Sequence, residues 1–314
     1  MSRLVALTGG TGFLGRHAIR AFHERGWRVR ALVRRAPDMA ELADAPIELT
    51  LGRLDEPDAL DRLCAGADAI LHLAGLVKAA SRAAFMAANA DGAGAVAASW
   101  RRAAPDARFV LVSSMAARAP ELSDYAASKR EGEARVAALA EGGDWRALRP
   151  AAVYGAHDEE SLKVLRLADG PVQIMLNAAE ARVAMIDARD AAAALAAFVE
   201  RPGRGEVHEL TDARRDGYAW RELAETAARA LGRRPRPLRL PAAVLKVVGA
   251  VGERLAARSG SAEMLTRGKA REILHADWSG DPALAPPDDV WRPAIPLERG
   301  LAEMAVWARA AGRL

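Results

Sequence analysis

The sequence predicts a doubly wound α/β fold, a parallel sheet with helices on both faces, followed by a smaller C-terminal lobe. Three observations predict it. Apolar, β-rich runs at 3–8, 28–33, 46–51, 68–73, 107–113 and 144–149 alternate with helical patterns at 13–25, 56–65, 81–103 and 125–140. A glycine-rich turn, Thr-Gly-Gly-Thr-Gly-Phe-Leu-Gly at 8–15, joins the first run to the first helix. The regular alternation fades after Pro150.

Taken in order, the first run, Leu4-Val5-Ala6-Leu7, is short and wholly apolar, as a strand covered on both faces requires. Strand–helix alternation implies right-handed crossovers and a parallel sheet. The strand order of such a sheet reverses after the third strand. That opens a crevice at the C-terminal ends of the first and fourth strands. Beyond Pro150, residues 155–182 read as a loop with a short helix and 183–187 as a strand. An alanine-rich helix follows at 188–200, a strand at 206–210 and a helix at 218–231. Residues 233–237, Arg-Arg-Pro-Arg-Pro, read as a proline-stiffened connector, and 297–311 as an amphipathic helix. The apolar helix at 241–258 packs into the core by default; a pocket wall, a dimer surface and a weak membrane contact are its alternatives. The division expected is a dinucleotide-binding domain over 1–154. A smaller lobe would span 155–314, with some of its segments returning to the first domain.

The chain has 314 residues, 51% hydrophobic and 27% charged, an ordinary globular composition. Its net charge of +4 comes from interspersed charges and does not point to nucleic acid. A single cysteine, Cys64, rules out an internal disulfide and fits the cytoplasm. No signal peptide is expected, because residues 1–3 lead straight into the first apolar run. No apolar run reaches the roughly 20 residues that span a bilayer. The nearest, 242–251, is broken by Lys246 and Gly249.

Gly10, Gly12 and Gly15 fit G-x-G-x-x-G between a strand and a helix, a context in which backbone N–H groups and a helix N-terminus face a pyrophosphate. A tight turn without a ligand is the plainer alternative. Tyr125-Ala-Ala-Ser-Lys129 opens the helix after the fifth strand, and its i, i+4 spacing puts phenol and ammonium on one face. A nearby ammonium lowers a phenol's pKa from about 10 and makes it a usable acid–base group. The fifth strand ends in Ser113-Ser114, where a hydroxyl can bond a substrate oxygen.

These motifs resemble the short-chain dehydrogenases/reductases, in the extended branch known as the NAD-dependent epimerase/dehydratase family. The resemblance rests on 8–15, His-Leu-Ala-Gly at 72–75, Asn-Ala-Asp-Gly at 89–92, Val-Ser-Ser at 112–114, 125–129 and Leu-Arg-Pro-Ala-Ala-Val-Tyr-Gly at 148–155. It implies a Rossmann-type domain and a small substrate lobe. It further implies that Tyr125 is the acid–base residue, that Lys129 holds the nicotinamide ribose and tunes Tyr125, and that Ser114 polarises the substrate oxygen. Thr8, Gly9, Gly12, Phe13, Leu14, Gly15, Leu54, Leu73, Ala74, Gly75 and Ser113 would contact the cofactor, with Pro150 and Val153 lining the nicotinamide. His72 is expected to pack near the cofactor, Asn89 to support the fourth-strand backbone, and Asp187 and Asp190 to cap a helix. No metal is expected.

The second strand ends Val33-Arg34-Arg35, with no carboxylate until Asp38. An acidic residue there binds a ribose 2′-OH, whereas a guanidinium binds a 2′-phosphate. NADP(H) is therefore predicted, with Arg34 as its main ligand and Arg35 in support; NAD(H) is the alternative, with both arginines merely facing solvent. Arg53 stands where the family usually has Asp against the adenine, which weakens that contact and adds positive charge. Met115-Ala116 after the serines lacks the acidic pair of the dehydratases. Glu-Leu-Thr at 209–211, the connector, Leu-His-Ala-Asp-Trp at 274–278 and the last helix resemble the dihydroflavonol-reductase and 3β-hydroxysteroid-dehydrogenase-like members. The function expected is NADP(H)-dependent interconversion of a carbonyl and a secondary alcohol on a small, largely apolar substrate. The alternatives are a nucleotide-sugar epimerase with retained NAD and a non-catalytic NADP(H)-binding sensor or assembly protein. Pairing of helices 81–103 and 125–140 from two subunits into a homodimer is a further implication of the family.

Overall fold

Leu4, Val5, Ala6, Leu7 and Thr8 are all buried, as an interior strand of a parallel sheet requires. The computed structural model describes residues 3–35, 46–170, 172–175, 180–234, 236–239, 241–259 and 266–314. In chain order it begins β1 (Leu4–Thr8), α1 (Phe13–Glu24), β2 (Arg28–Val33), β3 (Ile47–Leu51), α2 (Pro57–Cys64), β4 (Ala69–His72) and α3 (Arg82–Phe85). A π-helical turn (Met86–Asp91), α4 (Gly92–Ala103), β5 (Arg108–Val112), a 3₁₀ turn (Met115–Arg118), α5 (Asp124–Ala140) and β6 (Trp145–Pro150) follow. Next come β7 (Ala152–Tyr154), α6 (Glu159–Asp169), β8 (Val172–Met175), β9 (Arg182–Val183), β10 (Met185–Asp187) and α7 (Ala188–Val199). The chain continues through β11 (Glu206–Leu210), β12 (Tyr218–Ala219), α8 (Trp220–Ala230), β13 (Arg236–Arg239) and α9 (Ala242–Ser259). It closes with α10 (Arg267–Leu274), β14 (Asp277–Trp278) and α11 (Leu297–Ala310).

The main sheet has the order β11-β6-β5-β4-β1-β2-β3. The ladders of β1 with β2 and β4, β2 with β3, β4 with β5 and β5 with β6 are all parallel. Thr8 stands beside Leu32 on one side and His72 on the other. The reversal of strand order therefore falls between β1 and β4, and both strands end at the same edge of the sheet.

The chain divides into two compact units. One comprises Met1–Arg149, Ala192–His208 and Pro286–Trp291; the other comprises Pro150–Ala191, Glu209–Ala285 and Arg292–Leu314. The first packs Leu60, Leu63, Ile70, Trp100, Phe109 and Val136 into its core. The second gathers Tyr154, Leu162, Leu165, Leu223, Leu301 and Met304.

The early strands and helices lie within two residues of their predicted bounds, and four differences stand out. The helix predicted over 81–103 is interrupted by the π-helical turn, whose extra residue buries Asn89. The strand predicted over 183–187 is two strands, because β9 pairs with β12 and β14 while β10 pairs with β7. Part of the proline-rich connector is β13, which pairs in parallel with β8. A two-stranded ladder leaves each strand an unpaired edge, so Pro237 is tolerated. Finally, α9 buries Leu245, Gly249 and Gly252 and exposes four valines, so core packing describes only its narrow face.

Candidate active site

The turn after β1 is built by close backbone approach. Gly9 has φ +79°, and a Cβ there would lie 2.6 Å from the Ala74 nitrogen. A Cβ on Gly15 would lie 2.1 Å from the Gly9 oxygen and 2.8 Å from Gly10 Cα. The Gly12 N–H donates to the Gly9 carbonyl at 3.1 Å, which closes the turn. Gly12 then caps α1 with no side-chain bond to its first amides and no acidic residue in the first turn. Such a terminus attracts an anion through its orphan N–H groups and dipole. Thr11 and Gly12 are exposed, and Phe13 and Leu14 half-buried. We expect Gly15→Ala to cost about 1–3 kcal/mol through overpacking and to weaken dinucleotide binding in the same protein. Thermal melting and a titration with a nicotinamide dinucleotide read the two effects.

At the neighbouring end of β4, Ala74 N–H donates to Thr8 Oγ1 at 3.2 Å, and Thr8 Oγ1 lies 2.7 Å from His72 Nδ1. Burial first, and the Lys129 charge second, push the His72 pKa down to about 3. The ring is neutral at physiological pH and bonds Thr8, so it holds two strand ends together. Leu73 and Ala74 are half-buried and Gly75 exposed. Asn89 grips the peptide of Leu76 on both sides: Oδ1 accepts from its N–H at 2.8 Å, and Nδ2 donates to its carbonyl at 2.9 Å. Nδ2 also donates to Ser128 Oγ at 2.8 Å, which ties this loop to α5. A Cβ on Gly75 would lie 2.6 Å from Asn89 Oδ1, so the clamp needs glycine there.

The helix α5 is capped by Ser123, whose Oγ accepts from Ala126 N–H at 3.0 Å. Tyr125 and Lys129 follow one turn apart, both half-buried. The Tyr125 ring packs against Phe85, with centroids 6.0 Å apart. Lys129 Nζ donates to the carbonyl of Val112, the last residue of β5, at 2.7 Å. Burial lowers the Lys129 pKa to about 8, and the Glu133 carboxylate opposes that fall. Ser114, two residues beyond Val112, is half-buried; its Oγ accepts from Ala116 N–H at 3.2 Å, which leaves its own proton to donate. Tyr125, Lys129 and Ser114 thus belong to one helix end and one strand end that the Lys129 bond joins.

Ser113 faces the interior. Its hydroxyl donates to Glu133 Oε1 at 2.5 Å. Arg149, from β6, clamps the same carboxylate with Nε at 2.8 Å and Nη2 at 2.7 Å. Both side chains are less than a tenth exposed. Neither Glu133 nor Arg149 was a sequence candidate. The signals were an arginine inside an apolar strand and a carboxylate one turn past Lys129.

The remaining candidates are spread more widely. Arg34 and Arg35 follow β2 directly and are exposed; Asp38 lies outside the described residues. Arg53 pairs with Asp55 at 3.1 Å, so its positive charge is shared with a carboxylate. Leu54 is half-buried against the first core. Pro150 ends β6, and Val153 lies in β7 opposite Ile186; both belong to the second unit. Asp190 Oδ2 accepts from the N–H groups of Ala294 and Ile295 at 2.9 and 2.8 Å, and Asp187 pairs with Arg189 at 2.8 Å. Asp187 also accepts from the Arg189 N–H at 2.9 Å, at the start of α7, as expected of a cap. Asp190 instead holds a neighbouring loop. Among the described residues no group of three His, Cys, Asp or Glu is placed to hold a metal ion.

Residues 5–211 match the profile of the NAD dependent epimerase/dehydratase family. The chain is 45% identical over 313 residues to a ceramide reductase of Caulobacter vibrioides, covering 99% of this chain and 96% of that protein. It is 33% identical over 250 residues to a 2'-dehydrokanamycin reductase of Streptomyces kanamyceticus, covering 76% of this chain and 69% of the other. A solved UDP-N-acetylglucosamine 4-epimerase of Bacillus cereus shares the fold, with a TM-score of 0.73 and 17% identity over 98% of this chain and 97% of that one.

Proposed function

Because this chain belongs to the NAD-dependent epimerase/dehydratase family, the extended short-chain dehydrogenases/reductases, and is an oxidoreductase, we propose that it reduces a ketone on a ceramide-class lipid with NADPH. The proposed product is a secondary alcohol. The observation that carries this reading is the Lys129–Val112 bond, which ties the end of α5 that bears Tyr125 and Lys129 to the strand end that precedes Ser114. Similarity to the ceramide reductase over nearly the whole chain supports the substrate class. A ceramide bears a secondary hydroxyl, the group that ketone reduction makes. The second unit is assigned as the substrate-binding lobe.

The residues present fit a nicotinamide dinucleotide. The turn at 9–15 leaves no room for a Cβ on Gly9 or Gly15, and the start of α1 offers amides that no side chain caps. Gly9, Gly12, Phe13, Leu14 and Gly15 would hold the pyrophosphate, and Thr8, Leu54, Leu73, Ala74 and Gly75 would shape the rest of the binding surface in the first unit. Arg34 would take a 2′-phosphate through charge-assisted hydrogen bonds, with Arg35 beside it. Lys129 would hold the ribose. When bound, the nicotinamide supplies the hydride.

Ser114 Oγ and Tyr125 OH orient the carbonyl oxygen by donating to it. Tyr125 OH would give its proton to that oxygen, which would become the hydroxyl of the alcohol. The Lys129 ammonium stabilises the phenolate left behind until water restores the proton. Ser113 is committed to Glu133 and acts from behind this group. Met115 and Ala116, both buried, offer no acid or base, which disfavours dehydration.

Calorimetry of NADPH and NADH binding tests this reading. Wild type should prefer NADPH, and Arg34→Ala should weaken NADPH by about 10–100-fold, the worth of hydrogen bonds to a charged group, while leaving NADH unchanged. Equal binding of the two cofactors, or an NADPH affinity insensitive to Arg34→Ala, overturns the cofactor assignment. NADPH consumption with a keto lipid of the ceramide class then tests the substrate.

A further inference from the structure

The segment between β4 and α3 is anchored at both ends and apolar in the middle. At its start, a Cβ on Gly75 would lie 2.6 Å from Asn89 Oδ1 and 3.8 Å from Lys129 Nζ, so the chain leaves β4 within van der Waals reach of the ammonium. The next peptide, that of Leu76, is bonded to Asn89 through both its N–H and its carbonyl. Asn89 is bonded to Ser128, and the Ser128 hydroxyl donates to the Tyr125 carbonyl at 2.8 Å. At the far end, Ser81 Oγ caps α3 by accepting from Ala84 N–H at 3.2 Å. Arg82 of α3 pairs with Asp124 at 2.9 Å, and Phe85 packs on Tyr125. Asp124 and Tyr125 open α5, so both anchors fasten the segment to the helix that bears Tyr125 and Lys129. All of these residues belong to the first unit.

Between the anchors stand Leu76 and Val77, 42% and 66% exposed. A single exposed apolar side chain needs no explanation. Two in succession do, on backbone that a buried amide side chain holds in place. Both polar groups of the Leu76 peptide are bonded inward to Asn89, so what this stretch offers outward is hydrocarbon.

We propose that Leu76 and Val77 are the specificity-determining contact for the hydrocarbon arm bonded to the substrate's carbonyl carbon. The inference rests on the reductase reading and deepens it. A carbonyl oxygen held at the Tyr125 hydroxyl places its two carbon arms beside the first turn of α5. Successive hydrogen bonds through Asn89 and Ser128 connect Leu76 to the backbone of that turn, within reach of a long arm. In a keto lipid of the ceramide class the carbonyl joins an arm that bears an amide to a long alkyl chain. Leucine and valine suit the alkyl chain, because each methylene buried against them contributes about fourfold in affinity. An amide set against them would lose its bonds to water. The cofactor is the competing occupant, since Gly75 is assigned to it above. Its ribose and phosphate groups gain nothing from two aliphatic side chains, and a loss of NADPH affinity on substitution would reveal such a contact.

Steady-state reduction of two ketones of the ceramide class tests the proposal. One carries a short and the other a long alkyl arm on the carbonyl carbon, and both are kept below the concentrations at which they aggregate. Wild type should favour the long arm in kcat/KM. Leu76→Ser with Val77→Ser should lower the ratio of long-arm to short-arm kcat/KM by about tenfold or more, the effect of losing roughly two methylene contacts. Leu76→Met with Val77→Ile keeps the surface apolar and should keep the wild-type ratio. NADPH affinity, read by calorimetry, should be the same in all three proteins. An unaltered ratio in the polar variant overturns the proposal, as does an equal loss in the apolar one. A fall in NADPH affinity that accounts for the lost turnover overturns it in favour of a cofactor contact. Wild-type turnover of both ketones without preference for the long arm overturns it and leaves the reductase reading intact. No turnover of either ketone by wild type overturns the reductase reading and this inference together.

Discussion

Tyr125→Phe is expected, on the proposed mechanism, to lower turnover with NADPH by about 10²–10⁴-fold, the usual worth of a positioned acid or base. The substitution removes one oxygen and its proton. The ring that packs against Phe85 remains, as do the Lys129 bond to Val112 and the Ser123 cap. NADPH affinity and melting temperature should therefore stay near wild type. The loss should fall on kcat rather than KM, because the phenol's proton is needed only as charge develops on the substrate oxygen. A variant that keeps turnover within a few-fold of wild type places the proton source elsewhere.

Glu133→Ala is expected to cost about 3–5 kcal/mol of stability, because it leaves the Arg149 guanidinium buried without its counter-charge. For a domain of this size that is a fall of roughly 6–20 °C in melting temperature. The carboxylate joins three elements at once: α5, Ser113 after β5, and Arg149 in β6. Arg149→Met combined with Glu133→Ala should recover part of the loss, since the pair then leaves no buried charge without its partner. Glu133→Gln separates packing from charge. The Glu133 anion favours the Lys129 ammonium, so its neutralisation should move the Lys129 pKa further below about 8. In the proposed mechanism the ammonium form supports Tyr125, so activity should fall as pH rises through that pKa. In Glu133→Gln the fall should begin at lower pH. A purely structural role for Glu133 would lower stability and leave the pH profile in place.

Much of this arrangement was legible from local pattern. The strand runs, the glycine turn and the Tyr125–Lys129 spacing are each set by a few adjacent residues. Their places in the sheet follow from the handedness of strand–helix–strand connections. What was hidden depends on partners distant in sequence. Glu133 reads as one more charge on a helix rich in them, and only folding brings Arg149 and Ser113 to it. Asn89 gave a hint of support for the backbone, but the π-helical turn that points it at Leu76 and Ser128 has no composition of its own. The proline-rich connector concealed β13 because prolines argue against a strand unless an edge is left unpaired. The valines of α9 read as core because apolar content alone does not say which face a helix buries. Gly249 and Gly252 were the signal that its packed face is the narrow one.

The measurement that bears most directly on the central claim follows one hydrogen. The purified protein is incubated with NADPH deuterated at the transferable C4 position and a keto lipid of the ceramide class, and the product is examined by mass spectrometry. The account predicts NADPH oxidation matched by an alcohol that carries one deuterium on the carbinol carbon, and neither in Tyr125→Phe. No deuterium in the product, or a tightly held oxidised cofactor with no net consumption of NADPH, would contradict it.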